Sequence, residues 1–164
     1  MIGKKMEQAL NDQIREELGS AYLYLAMAGY FAHEGWDGMA SWMRVQAGEE
    51  LGHAMRIFDH LVERGGRVRL QALAEPEATW ASPLEAFKAA YKHEGHITAR
   101  IHALVELAAE EKDHAAAAAL QWFVSEQVEE EDHTLKAVQL LERMGPDGRG
   151  LAMADRDLGR RKED

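Results

Sequence analysis

The chain has 164 residues, enough to bury one substantial core, and its 46% hydrophobic and 29% charged residues are the composition of a soluble globular protein. It has no cysteine, which excludes disulfides, thiolate metal sites and a cysteine nucleophile together and suits a reducing compartment. The formal charge of −10 argues against nucleic acid or an anionic membrane as partner and favours drawing in cations.

The opening stretch, "MIGKKMEQALNDQ", turns polar at once. The most apolar segment, "GSAYLYLAMAGYFA", is too short and too punctuated to span a bilayer, so a cytoplasmic location is expected. From about residue 5 to 34, Met6, Leu10, Gln13, Glu17, Ala21, Tyr24, Ala28 and Phe31 recur at steps of three and four. This is an amphipathic helix with a carboxylate in its apolar stripe. "GWDG" then makes a turn, and Asp37 is the expected N-cap of a second helix, about 37 to 64, ended by Gly65-Gly66. "SPLE" opens a third, about 83 to 112, with Ser82 as N-cap, Pro83 at the first helical position and Glu85 completing a capping box. Its stripe is Phe87, Tyr91, Glu94, Thr98, Ile101 and Val105. Asp113 caps a fourth helix, about 114 to 144, which "MGPDG" stops before a short fifth helix, about 149 to 158.

The segment "GGRVRLQALAEPEATWAS" is long for a bundle connection. A helix of about 27 residues is about 40 Å long, and a linker of about 18 residues spans that distance at roughly 3.3 Å each. The sequence therefore predicts an all-α fold: a four-helix bundle with one long crossover between helices two and three, plus the short fifth helix, in a single domain over 1–164.

Mid-helix acids share a register. Glu50 lies 33 residues after Glu17 and opens Glu50-Leu51-Gly52-His53, a Glu-x-x-His step. Adding 77 to Glu17, Glu50 and His53 gives Glu94, Gln127 and Glu130. Carboxylates facing one another in a bundle core repel and lose hydration, at a cost that bound cations remove. A lone Glu-x-x-His is common on solvated helices; four helices contributing at one level point to metal. Oxygen donors with one imidazole favour iron or manganese, with zinc possible. A Glu on each of two helices and Glu-x-x-His on the others is the two-metal carboxylate pattern, from which Gln127 and Glu130 depart. Glu130-x-x-His133 is a competing register; the 33-residue spacing leaves His133 one turn beyond the site, as a peripheral residue.

"EEL" at 16–18, "AYLYLAM", "QAGEELGHAMRIFDHLVERGG", "YKHEGHIT", "LQWFVSEQVEEEDH" and the turn "GPDGRGL" closely resemble the bacterial non-haem ferritins, over nearly the whole chain. That resemblance implies ferroxidase activity: oxidation of Fe(II) to Fe(III) by O2 or H2O2 at a di-iron centre, and storage of ferric mineral in a hollow homo-oligomeric shell of 24 subunits. It implies a first iron site of Glu17, Glu50 and His53 and a second of Glu50, Glu94 and Glu130, with Glu50 bridging and Gln127 hydrogen-bonding beside them. It also implies a third iron site from Glu49, Glu126, Glu129 and Glu130, and a redox role for Tyr24 and, less directly, Trp122. The five acids of "VSEQVEEEDH" thereby divide, with Glu131 and Asp132 left as solvated charges. No haem is expected, because haem-bearing bacterioferritins have histidine at the position of Glu130; Met43 and Met55 read as core filling. The absence of cysteine disfavours a rubrerythrin-like peroxidase, and a non-catalytic, metal-sequestering shell is the rival from another class. The tail "LAMADRDLGRRKED" is more charged than a pore-lining helix needs to be.

Overall fold

The computed structural model describes residues 1–162. Its helices are α1 (Lys4–His33), α2 (Asp37–Glu63), α3 (Pro83–Glu110), α4 (His114–Met144) and α5 (Gly148–Leu158), and no strand occurs among the described residues. Ser82 caps α3 by accepting from Glu85 N, and Asp113 caps α4 by accepting from Ala116 N, each satisfying an orphan donor of a first turn. The start of α2 differs from expectation. Trp36 occupies the N-cap without a side-chain bond, and Asp37 is the first helical residue, where its charge still favours the positive end of the helix. Gly145, at φ 76°, ends α4 in the left-handed region that a side chain would strain.

α1 packs on α2 and α3 on α4, and residues 64–82 join the two hairpins. The hydrogen bonds of this connection show its course. Asn11 Nδ2 donates to Arg67 O and its Oδ1 accepts from Arg69 N, Asp12 and Arg15 hold Gln71, and Trp80 packs edge-on to Tyr30 at 5.3 Å. As the connection advances from 67 to 80, its partners on α1 advance from 11 to 30, so it traverses the bundle lengthwise. α3 therefore starts beside the end of α1 and the beginning of α2, where Phe87 meets Phe31 and Trp42. The structure is the single-crossover four-helix bundle, with α5 laid against α2 and α4. Asp155 of α5 accepts from Met39 N at 2.8 Å, and a Cβ on Gly38 would stand 1.9 Å from Asp155 O, so only glycine admits this contact.

Two apolar cores fill the ends of the bundle. One gathers Tyr24, Met27, Phe31, Met39, Trp42, Met43, Phe87 and Leu141; the other gathers Met6, Leu10, Ile14, Ile57, Leu61, Ile97, Ile101, Leu120 and Phe123. Each large aliphatic in them contributes about 1.5–3 kcal/mol by leaving water. Between the cores lies a buried polar belt from all four long helices. Five side chains depart from the predicted packing: Ala21, Met55, Tyr91, Thr98 and Val105. Tyr91 and Met55 are exposed, so Met55 fills no core, and Ser20 rather than Ala21 is buried on α1. On α3 the buried face carries Ala90, Ile97 and Leu104, each one residue before Tyr91, Thr98 and Val105 of the expected stripe.

Candidate metal centre

The belt holds Glu17 from α1, Glu50 and His53 from α2, Glu94 from α3, and Gln127 and Glu130 from α4, none more than 4% exposed. Among the described residues, three sets of donor atoms lie within 4.8 Å of one another: Glu17–Glu50–His53, Glu50–Glu94–Glu130 and His53–Glu126–Glu130. The first two share Glu50. His53 Nδ1 is 3.5 Å from Glu50 Oε2, and His53 Nε2 is 4.0 Å from Glu130 Oε1.

Amides and a phenol pin the remaining oxygens. Gln13 Nε2 donates to Glu17 Oε1 at 2.9 Å; Gln46 Nε2 donates to Glu50 Oε1 at 3.1 Å and Glu130 Oε2 at 2.6 Å. The Tyr24 hydroxyl donates to Glu94 Oε1, and Gln127 Nε2 lies 3.3 Å from Glu94 Oε2 and 3.2 Å from Thr98 Oγ1. Glu17 Oε2 and Glu50 Oε2 remain buried without a hydrogen-bond donor. Such oxygens are costly in a protein interior and are what a divalent cation needs. With no thiolate, the donor set of carboxylate oxygens and one imidazole suits iron or another first-row cation.

Electrostatics agree with this geometry. Burial, reinforced by the Glu50 charge, pushes the Glu17 carboxyl up to about 8. Burial and the neighbouring carboxylates raise Glu50 well above the ordinary carboxylate range, and burial raises Glu94 and Glu130 as well. Without metal, some of these groups retain protons at neutral pH. Burial and then Glu94 also push the Tyr24 phenol up, so Tyr24 stays a hydrogen-bond donor.

The outer acids are arranged differently. Glu126 sides with His53, 3.7 Å from its Nε2, whereas Glu129 is exposed. Glu49 is ion-paired with Arg161 from the chain's tail at 2.5 Å. The predicted third set therefore appears as His53, Glu126 and Glu130, without Glu49 or Glu129 inside 4.8 Å. Together these acids line a cavity of about 610 Å³ with Arg56 and Trp122, whose ring lies 4.1 Å under the Arg56 guanidinium and 5.4 Å from the His53 ring. His133 also lines it, half-buried and outside every donor set. Glu131 is not a solvated charge: half-buried, it accepts from Thr98 Oγ1 at 2.5 Å. Asp132 is exposed and paired with Lys136.

The sequence pattern gives no role to Gln13, Gln46 or Arg161. The two glutamines carry a signal, since each stands four residues before a ligand glutamate, one turn away on the same face. Shifted by 77 they become Ala90 and Phe123, so the repeat that marks the carboxylates omits them. Arg161 has no such signal.

A helical bundle whose four long helices converge on paired carboxylate donor sets has the arrangement of the two-metal carboxylate proteins. The ferritin-like domain family model matches residues 7–144. A bacterial non-heme ferritin of Bacteroides fragilis is 40% identical over 161 residues, covering 98% of this chain and all of the relative. One from Staphylococcus aureus is 36% identical over 164 residues, covering all of this chain and 99% of the relative. Among solved structures, an open-pore ferritin from the archaeon Archaeoglobus fulgidus superposes with a TM-score of 0.97 at 52% identity, over 99% of this chain and 100% of that one. A form of that ferritin engineered to be closed gives 0.98 at 51%, over the full length of both. The chain belongs to the ferritin family.

Proposed function

We infer that this protein stores iron and acts as a ferroxidase, taking two Fe(II) ions per subunit as substrate into the buried belt. The carrying observation is that two buried donor sets share Glu50 and that oxygens of Glu17 and Glu50 have no donor to satisfy them. Glu17, Glu50 and His53 hold one ion; Glu50, Glu94 and Glu130 hold the other. Each ion gives one electron. With O2 as oxidant, two Fe(II), one O2 and two protons yield two Fe(III) and one H2O2; with H2O2, two protons complete two waters. Binding displaces protons from the raised carboxyls, because ligands must be ionised. Gln127 orients Glu94, and Tyr24, hydrogen-bonded to Glu94, is close enough to supply a further electron. Fe(III) then leaves past His53 and Glu126 toward a third site that Glu130, Glu129 and Glu49 complete as the side chains adjust.

The whole chain acts as one ferritin-like domain without haem, in a shell of 24 copies in the cytoplasm. Exposed Tyr22 and Leu25 on α1, with Leu70 and Leu73 on the crossover, are apolar surface suited to contact with further copies. Among the described residues no helix is long and apolar enough to cross a membrane. The test is to add two Fe(II) per subunit to the metal-free protein under air and follow ferric absorbance. Ferroxidase activity gives a fast phase well above that of Fe(II) in buffer; a shell that only sequesters metal binds the iron without it.

A further inference from the structure

We propose that Arg161 is a resident cation and positioning residue of the metal centre: it occupies the Glu49 carboxylate in place of a third metal ion and, through Gln46, sets which oxygens of Glu50 and Glu130 face the bound pair. The proposal rests on the two-metal reading above.

Arg161 follows the last turn of α5, yet its side chain is only 13% exposed. It lies along one face of α2, touching residues at steps of four and three. The guanidinium stacks over Trp42 at 4.3 Å, donates to Gln46 Oε1 at 2.7 Å and donates to Glu49 Oε2 at 2.5 Å. A planar cation with a rigid fork of donors fits this arrangement, and a point charge such as lysine does not. The tail is held in place independently by the bond from Met39 N to Asp155 and by turns that close on Asp157 O and Leu158 O.

Two consequences follow. First, a guanidinium has no acceptor. Gln46 must turn its carbonyl to Arg161, which leaves its amide N–H groups to reach Glu50 Oε1 and Glu130 Oε2. The other oxygens, Glu50 Oε2 and Glu130 Oε1, are the ones that face His53. Arg161 thus fixes the hand of the amide that fixes the ligands. Secondly, a divalent ion approaching Glu49 meets a positive charge already seated there, so third-site affinity is held down while the buried pair fills.

The experiment titrates the assembled, metal-free protein with Co(II) under anaerobic conditions, reading stoichiometry by calorimetry and ligand geometry from the Co(II) absorption bands. The parent should take up two ions per subunit tightly and a third weakly. Arg161→Ala should bind that third ion about tenfold more tightly and shift the bands of the inner pair, as loss of an outer-shell partner does. Arg161→Lys keeps the charge but not the fork. Its third-ion affinity should stay within about threefold of the parent while the bands shift as in the alanine variant. An alanine variant with the parent's affinity and spectrum overturns the proposal, as does a lysine variant that binds the third ion as tightly as the alanine one. A parent that takes up no inner pair overturns the two-metal reading itself, and the parent titration alone reports it.

Discussion

Glu49 and Glu50 are neighbours in sequence, as are Glu129 and Glu130, but they inhabit different environments. Glu50 and Glu130 are 1% and 2% exposed in the polar belt, whereas Glu129 is exposed and Glu49 is paired with an arginine at the cavity's edge. One residue on an α-helix is a rotation of about 100°, enough to move a carboxylate from the bundle's interior to its flank. Inside, desolvation and like charge raise the pKa of each acid and make a cation the natural partner. On the flank, water and an arginine already serve. On the function proposed above, iron oxidation and later iron handling are separated by one residue of helix rather than by a domain.

The sharpest way to break this contrast is to remove one member of a pair. Glu50→Ala deletes the carboxylate shared by both inner donor sets and should slow the initial Fe(II) oxidation by on the order of 100-fold or more in stopped-flow absorbance. Glu129→Ala should leave that fast phase intact and alter only later turnover. Equal initial rates for Glu50→Ala and the parent would dissolve the distinction. Glu130→Ala should cost one bound metal of the inner pair, while His133→Ala, one turn further on, should retain both by anomalous scattering. Loss of a metal on His133→Ala alone would shift the whole register by a turn.

Stability sharpens the comparison further. Replacing Glu17 and Glu94 together by Gln should raise the melting temperature of the metal-free protein by roughly 3–10 °C at pH 8, since the repelling charges go. The same change should shrink the stabilisation conferred by redox-inert Zn(II). The pH dependence has a definite sign. The folded-state pKa of Glu17 is raised from 4.5 to about 8. Between those values the folded protein holds a proton that the unfolded chain has released, so the metal-free protein loses stability as pH rises through that window. Zn(II)-loaded protein, whose ligands are already ionised, should show the gap over the metal-free form widening from pH 5 to pH 8 in paired melting curves. A gap that narrows would place the cations on the flank.

The smallest effect concerns hydrogen bonds to the ligands. Tyr24→Phe removes one donor from Glu94 and should slow oxidation by less than about tenfold without changing metal stoichiometry. A larger loss would make the phenol a participant in every turnover.

Much of this was legible in the sequence, for reasons particular to each residue. A glutamate inside an apolar stripe contradicts its surroundings, and the 77-residue repeat, pairing Glu17 with Glu94, Glu50 with Gln127 and His53 with Glu130, marks these six as one constellation. Ser82 and Asp113 announce helix starts because capping is local chemistry. Asp37 misled because a good capping residue also sits well in a first turn. Tyr91 and Met55 misled because a helical stripe tolerates a shift of one residue, and only packing decides which neighbour turns inward. The Arg161 contacts bridge 115 and 112 residues, to Gln46 and Glu49. No periodicity encodes contacts that depend on where α5 comes to rest.

The central claim is that the buried belt, and not the acidic flank, receives the first two Fe(II) ions and oxidises them. Crystals of metal-free protein soaked with two Fe(II) per subunit, with anomalous difference maps recorded before and after air, test it most directly. Two peaks are expected before air, one among Glu17, Glu50 and His53 and one among Glu50, Glu94 and Glu130, with density near Glu126 growing only after oxidation. First occupancy near Glu126 and Glu129, with the belt empty, would contradict it.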